Sequence, residues 1–201
     1  MKTGPKYKIA RRLGAPVFEK TQTAKYALSE AKKQRVGKRP PKQKSEFGKA
    51  LNEKQKARFT YGLSEKQFKS YVDKAIGAEN ASGKLFTILE SRLDNVLYRS
   101  GLLKTRAQAR QASSHGHILV NGKRVTIPSI ILKKGDKVSL RIGSADSPLF
   151  GESSERMKNL SAPAWILVDP EKRQAEVVGD PIYDAHSHVF DLGIVIEFYN
   201  R

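Results

Sequence analysis

The sequence predicts an α+β fold: a helical N-terminal domain, then a small domain of two helices and an antiparallel sheet, preceded by an extended basic arm. Three observations lead there. Helical periodicity with capping boxes dominates from Ser45 to Gly116. The pattern then switches to short β-branched runs around Asn121-Gly122, and helices followed by strands is the α+β order. The first 44 residues are crowded with charge, proline and glycine.

The expected boundaries are an arm over 1–44, a helical domain over 45–91 joined by 185–201, and a sheet-containing domain over 92–184. Within the arm, Val36-Gly37-Lys38-Arg39-Pro40-Pro41-Lys42-Gln43-Lys44 offers too little apolar area to offset its ordering entropy. Pro40 and Pro41 favour extended backbone. Such an arm orders against a partner or remains a solubilising tail. Residues 24–35 fit a short basic helix.

Residues 46–60 carry Phe47, Leu51, Ala57 and Phe59 among many charges. Ser64-Glu65-Lys66-Gln67 is a capping box, in which the Ser hydroxyl and the Gln amide satisfy free backbone N–H groups at a helix start. Phe68, Tyr71, Val72, Ala75 and Ile76 follow on one apolar face, and Gly77 ends that helix. Ser82 is the expected cap of the next helix. Its stripe is Leu85, Leu89, Leu93, Val96 and Leu97, and its stop is Gly101. Thr105-Arg106-Ala107-Gln108 is a second capping box, opening a short helix that stops at Gly116.

Ile118–Val120 and Lys123–Val125 flank Asn121-Gly122, the strongest short-range hairpin signal. A second hairpin is expected from 130–132 and 138–142 around Lys134-Gly135-Asp136. Further strands are expected at 165–168, 174–178 and 194–199. Residues 144–161 read as a loop, and Trp165 reads as core.

Composition narrows the function. The 201 residues carry 38 Lys and Arg against 20 Asp and Glu, a net charge of +18. Self-repulsion of that size calls for a polyanionic partner, nucleic acid or an anionic membrane surface. The charge is uneven: residues 1–74 are net +15, residues 75–142 net +8, and residues 143–201 net −5. The polyanion should therefore meet the first two thirds. No run approaches the eighteen or so apolar residues that span a bilayer. No signal peptide or lipidation motif is visible, so no membrane partner is expected and a cytoplasmic location is. With no cysteine, disulfides and thiolate zinc sites are excluded.

The sharpest concentration of candidate residues lies within 92–142. Arg106 and Arg110 are four apart, so their planar guanidinium groups share a helix face suited to phosphate. The helix start at Thr105 adds free N–H groups and a positive dipole end. Arg99 and Lys104 precede it, His115 and His117 follow it, and Lys123 and Arg124 stand just past the hairpin turn. An ordinary solvated basic face has the same spacing.

The ordered run from Arg92-Leu93-Asp94-Asn95-Val96-Leu97-Tyr98-Arg99-Ser100-Gly101 through Leu102-Leu103-Lys104-Thr105-Arg106-Ala107-Gln108-Ala109-Arg110-Gln111 settles the matter differently. With Ser114-His115-Gly116-His117-Ile118-Leu119-Val120-Asn121-Gly122-Lys123, it resembles the signature of the bacterial-type ribosomal protein S-four family and of the RNA-binding fold named after it. Lys54-Gln55-Lys56-Ala57-Arg58 and Tyr61-Gly62 resemble that family's helical domain, and Val195-Ile196-Glu197-Phe198-Tyr199 its C-terminal end.

The resemblance implies a structural constituent of the small ribosomal subunit that binds small-subunit ribosomal RNA at a multi-helix junction. It implies a part in nucleating assembly and in translational accuracy, with ribosomal proteins S-five and S-three as neighbours and messenger RNA near its point of entry to the ribosome. The implied RNA contacts are Arg92, Arg99, Lys104, Thr105, Arg106, Arg110, Gln111, His115, His117, Asn121, Lys123 and Arg124. Lys54 and Arg58 on the helical domain join them, as do Lys38, Arg39, Lys42 and Lys44 of the arm. Some members hold zinc on four cysteines in the N-terminal segment, and this chain has none, so no metal or other cofactor is expected.

Two other classes compete. Enzymes that borrow the same RNA-binding fold, such as pseudouridine synthases or aminoacyl-tRNA synthetases, carry a separate catalytic domain for which little chain is left here. A small stress or rescue factor would not need the helical domain and arm. Asp184, His186, Ser187 and His188 crowd together without triad or metal-site spacing, and no phosphate-binding glycine loop occurs. An enzyme is not expected. Tyr7 and Tyr26 are the candidate base-stacking rings of the arm.

Overall fold

A computed structural model of the chain describes residues 4–34, 44–145 and 147–200. Its helices are α1 (Lys6–Leu13), α2 (Ala24–Gln34), α3 (Glu46–Tyr61), α4 (Glu65–Ala75), α5 (Ala81–Glu90), α6 (Leu93–Arg99), α7 (Arg106–Ser114), α8 (Ser153–Asn159) and α9 (Leu192–Tyr199). Its strands are β1 (Ile118–Val120), β2 (Lys123–Val125), β3 (Lys137–Leu140), β4 (Ile166–Asp169) and β5 (Gln174–Val177). Two compact units result: Met1–Leu85 with Tyr183–Arg201, and Phe86–Ile182.

In the first unit, the stretch expected to be an extended arm is folded over residues 4–34. Leu13, Ala15, Val17 and Phe18 form a small core with Phe59 of α3. The Phe18 and Phe59 rings meet edge to face at 5.8 Å. Gly14, at φ 71°, turns the chain out of α1 and donates to Ala10 and Arg11. The helix expected at 24–35 is α2. Charge density hid this fold, because five well-placed apolar side chains suffice to seat α1. Lys38, Arg39 and Lys42 lie outside the described residues.

The capping box at α4 forms as expected: Ser64 Oγ accepts from the Gln67 N–H at 3.3 Å, and Gln67 Oε1 accepts from the Ser64 N–H. The cap of α5 is Asn80, whose Oδ1 accepts from Gly83 at 2.9 Å, and not Ser82. The run 194–199, expected as a strand, is the helix α9. Asp191 caps it, accepting from Gly193 and Ile194, and Leu192, Val195 and Ile196 are buried at helical spacing. Packing on a neighbouring helix overrides the β preference of Ile194, Val195 and Ile196.

In the second unit the sheet is antiparallel in the order β2-β1-β3-β5-β4. The hairpin at Asn121-Gly122 forms in the predicted register, Val120 opposite Lys123. Both turn residues have positive φ, 50° and 77°, which matches the twist of the flanking strands. Strands near 166–169 and 174–177 are present as expected. The second expected hairpin is absent: β3 pairs with β1 and β5, and 130–132 serves α6 instead. Ile130 and Pro128 accept from Leu93 and Asp94, and Leu132 donates to Ser91.

Those bonds also break the single helix expected from 82 to 101. Arg92 is extended (ψ 139°) and bridges Ile131, which separates α5 from α6. The loop expected at 144–161 contains α8, whose Met157 joins the core with Leu97, Leu103, Ile118, Val138 and Phe150. Trp165 is half-buried against that core, as expected.

Candidate nucleic-acid interface

The break before α6 places several charged residues where two short helices meet. Asp94 accepts two bonds from Arg92 at 2.9–3.0 Å and two more from Arg110 of α7 at 2.7–2.8 Å. Glu90 accepts two from Arg99 at 2.8–2.9 Å. Asn95 donates to Glu90 and accepts from Arg106 Nε at 2.7 Å. The Arg106 guanidinium also lies 4.2 Å from the Tyr98 ring centre. The carboxylates of Glu90 and Asp94 are almost fully buried, as is Arg92.

This corrects the expectation for Arg106 and Arg110. They do share a helix face, but that face meets α6 and not solvent. Arg106 is only 8% exposed, and Arg110 is half-buried against Asp94. A buried guanidinium requires acceptors, and the sequence supplies Asp94 and Asn95. Arg92 and Arg99 are held in the same way. Four arginines face two carboxylates, so the cluster keeps a formal surplus of two positive charges beneath the surface.

Thr105 caps α7, accepting from the Gln108 N–H at 3.1 Å. The capping box closes only on that side, because Gln108 Oε1 is buried without a hydrogen-bond partner. Lys104 is mostly exposed and pairs with exposed Glu152 at 2.9 Å.

The C-terminal end of α7 and the β1–β2 hairpin meet at an exposed basic surface. Gln111, His115, Lys123 and Arg124 are exposed there, and Arg124 Nη2 lies 3.4 Å from the His115 carbonyl. Gly116 makes the approach feasible: its φ is +73°, and a Cβ would come within 2.1 Å of Arg124 Nε. His117 turns inward, with Nδ1 2.9 Å from Ser144 Oγ and its ring edge-on to Phe150. Burial lowers its pKa, and His115, Arg141 and Arg124 lower it further.

Asn121 does structural work at the hairpin tip. It donates to Asp136 at 2.8 Å and accepts from the Lys137 N–H. Asp136 in turn accepts from the Lys133 N–H at 2.7 Å. The turn carrying exposed Lys133 and Lys134 is thereby tied beside the hairpin. Those lysines were visible as a charge run before Gly135 but carried no site reading.

In the first unit Lys54 is buried, not presented to a ligand. It donates to Glu65 at 2.6 Å and lies 4.9 Å from the Phe198 ring centre. Partial burial works to raise the Glu65 pKa, but hydrogen bonds from Lys54 and Tyr199 prevail and hold it below the ordinary carboxylate value. Burial pushes the Tyr199 hydroxyl pKa up, and its bond to Glu65 adds to the rise. Arg58 donates to Gln55, pairs with Glu65 at 3.5 Å and lies over Phe59 at 4.5 Å. Lys44 is exposed. Tyr26 is buried against Tyr7, ring centres 5.0 Å apart, with Arg11 over both. It is a packing residue and not an open stacking platform.

Among the described residues, no group of three or more His, Asp or Glu is placed to hold a metal ion, and no helix is long and apolar enough to cross a membrane.

Two family models match the chain: the S4 domain over residues 91–138 and the ribosomal protein S4/S9 N-terminal domain over residues 1–93. Small ribosomal subunit protein uS4 of Halothermothrix orenii is 40% identical, covering 98% of each chain. The Streptococcus thermophilus uS4 is 43% identical over 99% of this chain and 97% of its own. The Aquifex aeolicus uS4 is 39% identical over 98% and 97%.

Proposed function

The chain belongs to the family of small ribosomal subunit protein uS4, structural ribosomal proteins with an S4 RNA-binding domain and not enzymes, and on that premise we propose that it binds small-subunit ribosomal RNA directly at a multi-helix junction. In this reading it nucleates subunit assembly in the cytoplasm. It supports decoding accuracy beside ribosomal proteins S-five and S-three, with messenger RNA passing nearby.

The observation that carries the reading is the meeting of α7 and the β1–β2 hairpin. Exposed Gln111, His115, Lys123 and Arg124 form one surface there, with Lys133 and Lys134 beside the hairpin tip. Beneath α7, the arginine–carboxylate cluster keeps the helix pair rigid and adds positive potential. Exposed cations on regular elements suit phosphates held at fixed spacing across a junction. Lys104, exposed but paired with Glu152, is a weaker contact in this scheme. Arg92, Arg99, Arg106, Arg110, Thr105 and Asn121 act by holding the surface in shape.

Nucleotide-resolution footprinting on protein-free small-subunit RNA tests this. The expected result is one contiguous protected region where several helices converge, lost on raising salt. Protection scattered over the RNA, or none at low salt, overturns it.

A further inference from the structure

We propose that the cleft between α1 and α3 receives a single extruded nucleotide of the ribosomal RNA. The cleft has a volume of 450 Å³, within the range of small-molecule pockets and much larger than a phosphate alone requires. It lies wholly within the first unit.

The geometry follows from the helix. Gly48, Leu51, Gln55 and Arg58 succeed one another at three- and four-residue spacing, so they form a single stripe along α3, and Lys44 lies just before the Ser45 cap. Arg12 and Leu13, at the end of α1, close the other side. No carboxylate is among the lining residues, and although Arg58 is paired with Glu65 at 3.5 Å, exposed Arg12 and Lys44 add positive charge at the rim. An anionic occupant suits those two cations. Lys54, one turn before Arg58 on α3, is buried against Glu65, which Arg58 also contacts, and it does not line the cleft.

The lining also carries the elements that recognise a base. Half-buried Leu51 offers apolar surface against which a ring can pack, while Leu13 is a core residue only 3% exposed. Asn52 donates through Nδ2 to the Leu13 carbonyl at 3.0 Å, which fixes the side chain and leaves its Oδ1 acceptor unpartnered among the described residues. Gln55 Oε1 is taken by Arg58, which fixes that amide and leaves its Nε2 donor unpartnered. One fixed acceptor and one fixed donor, with apolar surface between flanking cations, match a nucleobase with its phosphate. A flat run of RNA backbone would use the cations alone.

The inference rests on the ribosomal RNA reading above, and its test separates the two. Base-edge chemical probing of small-subunit RNA is compared for the whole protein, for Gln55→Glu and for Leu51→Phe. Gln55→Glu keeps a partner for Arg58 while turning the free donor into an acceptor and adding a negative charge. Leu51→Phe narrows the apolar floor. With wild type, one unpaired nucleotide is expected to be protected at its base. Each variant should expose that base and bind about tenfold more weakly, leaving the rest of the footprint and the melting temperature unchanged. Should Leu51→Phe prove unstable, Gln55→Glu decides alone. If Gln55→Glu protects the same bases at the same affinity, the cleft holds no nucleotide and belongs to a partner of other chemistry. If wild type itself leaves no footprint, the ribosomal RNA reading fails and the cleft proposal with it.

Discussion

The Asp94 carboxylate holds Arg110 at 2.7 Å while its own side chain is only 2% exposed. A nearly dry anion shared by Arg110 and Arg92 is structural in the first instance, whatever potential the cluster projects. Asp94→Asn removes the charge but keeps the shape, and leaves two guanidinium groups facing an amide. Breaking a buried pair from one side costs about 3–5 kcal/mol. A large fall in the urea midpoint is therefore expected, and a midpoint like wild type would show the cluster to be well solvated.

Arg106→Ala separates anchoring from RNA contact. The change strips Asn95 Oδ1 of its donor and Tyr98 of its covering guanidinium. A loss of about 2 kcal/mol in stability is expected, from an unsatisfied buried acceptor and lost packing. An exposed phosphate contact would behave in the opposite way, melting like wild type and binding RNA weakly. Paired thermal melts and binding titrations distinguish the two.

The Glu65 contact makes the first unit sensitive to acid. Hydrogen bonds from Lys54 and Tyr199 keep the folded-state pKa below the ordinary value of 4.5. A depressed carboxylate contributes stability that is fully present above 4.5 and is lost as pH falls through the folded value. The Tyr199 hydroxyl, with its pKa raised, stays a donor throughout that window. Glu65 is itself nearly half exposed, so solvent screening limits the effect to about 1 kcal/mol. Glu65→Gln should be less stable than wild type at pH 7, and the gap should narrow as pH falls below 4.5 and through the folded value. A gap that does not change with pH across the acid range would assign the effect to shape and not charge.

Some signals whose partner lies within four residues were legible, though Asn80 and not Ser82 caps α5 and the Thr105 box closes on one side only. The Ser64 box and the Asn121-Gly122 hairpin are of this kind, since backbone geometry fixes both. Signals that depend on distant packing were not. The β-branched 194–199 run reads as a strand until α3 is there to bury Leu192, Val195 and Ile196. Arg92 reads as helical until the 128–132 segment supplies acceptors for Leu93 and Asp94. The same limit shaped the site: spacing shows that Arg106 and Arg110 share a face, but not which way the face points. Asp94 and Asn95 were in plain view as acceptors, and a buried-arginine reading would have needed only their pairing. In the N-terminal stretch, net charge masked Leu13, Val17 and Phe18, whose burial decides the outcome.

The hairpin is where an electrostatic RNA contact can be tested without disturbing the fold. Lys123 and Arg124 are both exposed, and among the described residues the one side-chain bond they make is a long 3.4 Å contact from Arg124 to the His115 carbonyl. Lys123→Ala with Arg124→Ala should therefore melt close to wild type. Charge-assisted contacts contribute about 1.5–3 kcal/mol each, so RNA affinity at low salt should fall at least tenfold. The salt dependence supplies an independent check, because each phosphate contact to duplex RNA releases counterions as it forms. Removing two such contacts should flatten the log–log slope by nearly 2, at roughly 0.9 per contact. Arg124→Lys should recover most of the slope but only part of the affinity, since the ammonium keeps the charge and lacks the planar fork. A double-Ala protein with the wild-type slope would mean that these cations face solvent in the complex, and the contact surface would then have to be sought at Lys133 and Lys134 across the hairpin tip.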